Sequence, residues 1–471
     1  MVKITDPKFD NASYIDPHGR VCHYNGQILR AYFPKTADFY KELLSSNKMA
    51  LLIKKGMIAD FDFVPDIEIE GFPLVVRQKE IPNSNYCFEW SPAMLKDAAL
   101  LTIDLAIDFC EDNILLQDAT PYNILFDSTK PTFIDLCSFA PPVSGYIWNA
   151  YQQFCNLFLF PLYLFNCGAV DLTTQLMKNS NEGISEEAVI RIMSFSDKVK
   201  IPGYFSRVFL PKTMSQTISV YFNQSKIREL LFHLVEKKER GELQRTRKKL
   251  FMGLKKDILY LGVPGKVKKV WSNYYQQTEQ DILQKKLGII DSVTKSLNPG
   301  TVLDMGCNTG EFSILASKTG AKVIAFDTDN YCIDMLYKKA KSDNLAILSL
   351  VMDILNPTPS MGWRGMQFKN AQERFKSDMV YALALIHHLV FTKGLDFTRI
   401  IQSIKDFCNK WLIIEYISCV DPKVKLLPHR PSLDYSFYNQ DNFLRTLSEQ
   451  FSEVSILPKY SDTRILVLAK V

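Results

Sequence analysis

Thr301-Val302-Leu303-Asp304-Met305-Gly306-Cys307-Asn308-Thr309-Gly310 decides the fold, read together with the Glu311-Phe312-Ser313-Ile314-Leu315 that follows it. An apolar run ends on an acid, glycines stand at 306 and 310, and a helical pattern opens at Glu311. Strand, tight turn and helix make the first half of a βαβ unit. Glycine suits the turn because a residue without Cβ tolerates positive φ and lets a ligand approach the backbone closely.

Outward from this turn the rhythm repeats. Strand patterns fall at 302–305, 322–326, 345–352, 378–383 and 411–415, with helical patterns from 311, from 331 and over 397–408. That alternation predicts an α/β, Rossmann-like doubly wound sheet over residues 291–471, closed by antiparallel strands near 453–457 and 463–469.

The loop chemistry selects the ligand. A dinucleotide fingerprint needs Gly-x-Gly-x-x-Gly, whereas the middle position here is Asn308. Asp304, two residues before Gly306, would repel a pyrophosphate and suits an ammonium group. The N–H groups opening the helix are expected to face a carboxylate. Asp327 closes the second strand, where it can accept from both hydroxyls of a ribose, and Asp353 closes the third, within reach of an adenine amino group. The ligand that combines these parts is S-adenosyl-L-methionine. The expected cofactor residues are Asp304, Gly306, Cys307, Asn308, Gly310, Asp327, Asp353, Ile354 and Ala384. The bland alternative is a Rossmann-like module that binds nothing.

Residues 304–313 resemble motif I of class I S-adenosylmethionine-dependent methyltransferases. The wider set Pro357, Pro359, Gly362-Trp363, Glu373-Arg374, Ala384-Leu385-Ile386-His387-His388-Leu389 and Glu415 is similar to the NoeA-like methyltransferases. So is an N-terminal set: Ile81-Pro82, Tyr86, Glu89-Trp90, Met94 to Ala99 and Asp118 to Asn123. The resemblance spans most of the chain, is least distinctive over 175–265, and implies a methyltransferase without naming its acceptor.

Methyl transfer is an in-line displacement, and a base is needed only for a poor nucleophile such as a hydroxyl. His387 and His388, just past the fourth strand, are the candidate catalytic residues, against the alternative that one packs or caps the next helix. The Asn/Asp-Pro-Pro-aromatic signature of exocyclic-amine methylation is missing there, as is any Pro-Cys dipeptide. A small molecule, glycan or lipid-linked sugar, methylated on oxygen, is the expected acceptor, rather than nucleic acid.

A second constellation lies upstream. Asp118-x₄-Asn123 followed by Asp135 has the spacing of a kinase catalytic loop and its metal-binding Asp, a candidate phosphotransfer site using ATP and Mg²⁺. It resembles the aminoglycoside-phosphotransferase type more than a protein kinase. No glycine-rich phosphate loop and no third-strand lysine accompany it, and Leu116-Gln117 stands where a His is usual. Three readings stay open: a docking or regulatory module beside a methyltransferase, a bifunctional kinase–methyltransferase like those that terminate bacterial polysaccharides, and a non-catalytic cofactor-sensing scaffold.

The expected organisation is an α+β domain over 1–145, a mostly helical connection over 146–290, and the methyltransferase domain over 291–471. The hairpin signal Asn25-Gly26, a helix over 36–55, a helix over 92–113 and a strand pair at 124–126 and 132–136 build the first of these. Residues 237–269 carry twelve Lys or Arg against Glu239, Glu242 and Asp257. The expectation is a solvated helix face, with an anionic-ligand surface as the alternative.

The net charge of +5 does not mark a dedicated nucleic-acid protein. Ten cysteines without a Cys-x-x-Cys pair fit a reducing, cytoplasmic setting, and no metal site is expected from them. The apolar stretch 154–170 contains Asn156, Pro161 and Asn166 and is short for a membrane span, so a buried or interfacial helix is expected, leaving room for peripheral membrane contact. Tyr274 or Tyr275 could cover the cofactor, though aromatic packing explains them as well. No motif encodes an oligomeric state.

Overall fold

The computed structural model describes residues 2–144, 146–209, 240–262, 280–429 and 432–471. The chain forms two compact units, Met1–Val267 with Gly362–Gln367, and Lys268–Met361 with Phe368–Val471. The helices of 146–262 therefore count with the first unit, and the helix that precedes Thr301 with the second.

In the first unit Asn25 and Gly26 both have positive φ (48° and 73°) and join β1 (Gly19–Tyr24) to β2 (Gln27–Tyr32). With β3 (Phe61–Phe63) and β4 (Leu74–Gln78) they form an antiparallel sheet of order β1-β2-β4-β3. The helical stretch expected over 36–55 is two helices, Pro34–Leu44 and Asn47–Lys54. They break at Ser45-Ser46, where the Ser46 side chain accepts from Met49 N–H and starts a new helix.

The helix α1 (Pro92–Cys110) opens at Ser91, which accepts from Met94 N–H, and stops three residues before the expected end, with Asn113 left-handed just beyond. The hairpin β5 (Ile124–Asp127) and β6 (Lys130–Phe133) follows. The apolar stretch from 154 is an interrupted buried helix, with a π turn at Cys155–Leu159 between Tyr151–Phe154 and Phe160–Asn166. No helix among the described residues is long and apolar enough to cross a membrane.

The basic stretch corrects its expectation in part. Its described portion forms the helix α2 (Arg240–Tyr260), which packs on α1. Lys248 pairs with Glu111 at 2.7 Å and Lys255 with Asp104 at 2.5 Å. Arg247 is buried and donates to the carbonyls of Ile147 and Tyr146. Several of these charges thus bind one helix to another instead of facing water. Lys237, Lys238, Lys266, Lys268 and Lys269, like Tyr274 and Tyr275, lie outside the described residues.

The second unit opens with α3 (Gln280–Leu297). Strands β7 (Thr301–Met305), β8 (Lys322–Asp327), β9 (Ile347–Val351), β10 (Ser377–Ala382) and β11 (Cys408–Ile417) are mutually parallel neighbours. With β12 (Glu453–Ile456) and β13 (Arg464–Lys470) the sheet order is β9-β8-β7-β10-β11-β13-β12. The antiparallel pair expected to close the sheet is β13 and β12, with β13 beside β11 and β12 at the edge. Helices α4 (Glu311–Lys318) and α5 (Asn330–Ser342) make the crossovers. Val302, Val323, Ile347, Met379 and Ile413 from the strands pack with Ile290 and Leu336 from the helices in one core. The strand order reverses between β7 and β10, and there the carboxyl ends of the strands open a crevice, the usual place for a ligand in such sheets.

Candidate active site

At that switch point lies a cavity of about 480 Å³, in the range of small-molecule and cofactor sites. Asp304, Gly306, Cys307, Asn308, Asp327, Asp353, Ile354, Ala384 and His388 line it. Gly310 and His387 do not. Gly310 works through the backbone: φ is +86°, and a Cβ there would sit 2.3 Å from Leu336 Cδ1. Only glycine lets the loop turn into α4 while α5 packs this closely.

The N–H groups of the turn itself bond within the protein. Gly306 and Cys307 N–H both donate to Phe326 carbonyl (2.8 and 2.9 Å), and Gly310 N–H donates to Cys307 carbonyl. Asn308 N–H donates to Asp327 Oδ2 at 2.8 Å, and Thr309 N–H to Asn308 Oδ1. The first turn of α4 meets the protein's own acid, where Asp304 Oδ2 accepts the Ser313 hydroxyl at 2.6 Å. Helix and acid stabilise each other, so Asp304 anchors the turn as well as lining the cavity. Burial raises its carboxyl to about 6, against the Ser313 hydrogen bond, and the Asp327 charge adds to the rise.

Asp327 ends β8, where its other oxygen accepts from Asp329 N–H at 2.9 Å. Burial raises it too, opposed by these backbone bonds. Two N–H donors leave a carboxylate with further acceptor positions for a ligand. Asp353 Oδ1 accepts from Leu355 N–H, forming a turn just past β9. The Cys307 thiol is driven well up by burial and the acids around it, so it stays protonated and is no nucleophile.

Lys286, Tyr460 and Arg464, which the sequence left without a role, complete the wall, and the buried Glu415 holds the first two. Glu415 is wholly buried, and its Oε2 accepts from Lys286 Nζ and from Ala384 N–H, each at 2.6 Å. Its Oε1 accepts from the Tyr460 hydroxyl. Burial works against both charges of the Lys286–Glu415 pair, but the Lys286 ammonium and Tyr460 hold Glu415 below the usual carboxylate range. Ala384 needs this hold, because its φ is +50°, an uncommon conformation for a residue with a side chain. Arg464, on the antiparallel strand, also faces the cavity and is fixed to Asp421 through Nε at 2.8 Å.

The signals for these residues were present. Lys286 falls at helical spacing between the apolar Leu283 and Ile290, and Glu415 is the lone acid in Leu412-Ile413-Ile414-Glu415-Tyr416-Ile417. A buried charge in such a run needs a partner, and each is the other's.

The two histidines part company. Their rings lie 4.2 Å apart, but His388 faces the cavity while His387 is 3% exposed in the protein interior. Burial lowers His388 to about 4 and His387 further still, so both are neutral near pH 7.

In the first unit the upstream constellation does converge. Asn123 Nδ2 donates to Asp118 Oδ2 at 3.3 Å and to Ser138 Oγ at 3.1 Å, while Ser138 donates to Asp135 Oδ2. Gln153 holds the other Asp118 oxygen, and burial raises the Asp118 carboxyl. Asp135 accepts from Arg30 Nη1 at 2.6 Å, a buried cation supplied by β2. Asp16, Asp135 and Cys137 bring one ligand atom each within 4.8 Å of one another beside it.

The acid-tipped parallel strands, glycine turn and cavity define a class I S-adenosylmethionine-dependent methyltransferase. The family description "Methyltransferase domain" matches residues 277–447. The chain is 30% identical over 455 residues to the nodulation protein NoeA of Rhizobium meliloti (strain 1021), covering 93% of this chain and 91% of that protein. It belongs to the NoeA family.

Among solved structures, the bifunctional kinase–methyltransferase WbdD aligns at 20% identity and TM-score 0.30, over 42% of this chain and 41% of that one. This chain thus spans about two fifths of the WbdD length. Magnesium protoporphyrin IX methyltransferase (ChlM) from Synechocystis PCC 6803 with bound cofactor aligns at 18% identity and TM-score 0.29, over 42% and 88% of the two chains. Superposition at these scores is too loose to define the fold, which rests on the strand order.

Proposed function

We propose that this enzyme transfers a methyl group to a hydroxyl of a small molecule, glycan or lipid-linked sugar, with His388 as the base. The supporting observation is that His388 lines the same cavity as the strand-end acids Asp304, Asp327 and Asp353. In this reading Asp327 accepts from the ribose hydroxyls, Asp353 receives the adenine amino group beside Ile354, and Asp304 offsets the ammonium. Lys286, which lines the same cavity, is the cation we assign to the cofactor carboxylate. When bound, S-adenosylmethionine supplies a sulfonium-activated methyl carbon. The protein's own contribution is to orient the acceptor, exclude water and offer the neutral His388 ring to the leaving hydroxyl proton. Cys307, Asn308, Gly306 and Ala384 shape the wall without titrating.

The experiment is incubation of methyl-labelled cofactor and enzyme with fractionated cell extract, followed by mass spectrometry of the labelled product. Label in a methyl ether of a carbohydrate or small molecule is expected. Label confined to nucleic acid or protein would refute the acceptor class.

The convergence of Asp118, Asn123 and Asp135 favours one further reading, in which the first unit phosphorylates the acceptor that the second methylates. There Asp118 would take the acceptor's proton, and Asn123 with Asp135 would hold the Mg²⁺ that accompanies ATP. Magnesium-dependent thermal stabilisation by ATP, lost in Asp135→Asn, is the expected result; no stabilisation and no ATP turnover would leave this unit a docking module.

A further inference from the structure

The helix α2 has two faces of different character. Arg247, Phe251, Leu254 and Ile258 are buried. At helical spacing on the opposite side stand Arg245, Lys249, Met252, Lys256, Leu259 and Tyr260, all within about a 100° arc at 100° per residue. Met252, Leu259 and Tyr260 are 52%, 55% and 65% exposed. Lys248 and Lys255, near this arc, are neutralised by Glu111 and Asp104, whereas Lys249 and Lys256 lean on no acid among the described residues. A solvated helix face has no use for a methionine, a leucine and a tyrosine set between lysines, and the opposite face already supplies the core contacts.

A second segment of this unit also sets exposed apolar side chains beside lysines. The short helix Phe195–Lys200 exposes Phe195 (81%) and Val199 (57%) next to Lys198 and Lys200. The π turn Phe205–Phe209 that follows is tied to the buried side of α2, where Arg207 Nε donates to Asp257 Oδ2 at 3.3 Å. Lys96, from α1, donates to the carbonyls of Leu259 and Leu261, which fixes the end of α2.

We propose that this face of α2 is an interfacial contact for an anionic lipid surface. Cations at headgroup level with apolar side chains reaching past them are what such a surface selects. Free acidic polymers would use the lysines and leave Met252, Leu259 and Tyr260 without purpose. The proposal does not depend on the acceptor, although a surface-bound enzyme would meet a lipid-linked substrate where it resides.

The test is flotation of the full chain with vesicles of phosphatidylcholine alone and with one third phosphatidylglycerol, at low and at physiological salt. Binding to the anionic vesicles, weaker at higher salt, is expected. It should fall about tenfold or more in Lys249→Glu/Lys256→Glu, and also in Met252→Ser/Leu259→Ser/Tyr260→Ser, with cofactor binding by the second unit unchanged in both. No binding at low salt would overturn the proposal. So would anionic binding that the triple serine variant keeps in full, which would identify the face as a site for acidic polymers or proteins.

Discussion

The ammonium of Lys286 lies 2.6 Å from the carboxylate of Glu415, and the same carboxylate oxygen holds the N–H of Ala384 on the cavity wall. One buried pair therefore joins α3, the end of β11 and the turn after β10. Lys286→Met leaves Glu415 charged and buried without its counter-ion, a loss of about 3–5 kcal/mol of folding stability. The combined Lys286→Met/Glu415→Gln variant should lose less than the sum of the single changes, as urea unfolding of all four proteins would measure. Strict additivity would mean the two groups do not act as a pair.

Asp304 ties stability to pH. Its folded value of about 6 lies above the ordinary 3.8, so the folded protein binds this proton more tightly than the unfolded chain. That contribution is complete below the ordinary value and is lost as pH rises through 6, about 3 kcal/mol from this group alone. Without cofactor, Asp304→Asn should lessen the fall in stability between pH 5 and 7. A calorimetric pH profile identical to that of the wild type would remove Asp304 from the account.

Gly310→Ala should destabilise the second unit by about 1–3 kcal/mol, since its Cβ would overlap Leu336 and its φ of +86° disfavours any side chain. Denaturant titration should find part of the loss recovered when Leu336→Ala opens the space. An undiminished midpoint in the single variant would show that the turn is built otherwise.

His388→Gln should lower kcat about a hundredfold or more while cofactor affinity stays the same. Because burial lowers this ring to about 4, the wild-type rate should hold on the acid side until pH approaches 4, well below the 6.5 of a free imidazole. His387→Gln, which alters a buried ring off the cavity, should change stability more than rate. Equal rate losses in both would count against His388 as the base.

The periodic features were legible in advance: the Asn25-Gly26 hairpin, the strand rhythm from Thr301 and the acids at 304, 327 and 353 follow from local spacing. What stayed hidden was long-range. Lys286 and Glu415 are 129 residues apart and meet only when the sheet closes, and Arg30 reaches Asp135 across 105. Which histidine faces the cavity depends on the phase of a six-residue helix, Ile386–Phe391, that a His-His dipeptide does not set. The basic stretch misled because opposite charges on α1 and just past its end, more than a hundred residues earlier, take up part of it.

The central claim is that the cavity under residues 304–310 holds S-adenosylmethionine through the acids at the strand ends. Isothermal titration of the cofactor into wild-type protein and Asp327→Ala tests it most directly. Saturable binding to one site is predicted, weakened about tenfold or more when two ribose hydrogen bonds are lost. An Asp327→Ala protein that remains folded and binds the cofactor as tightly as the wild type would contradict it.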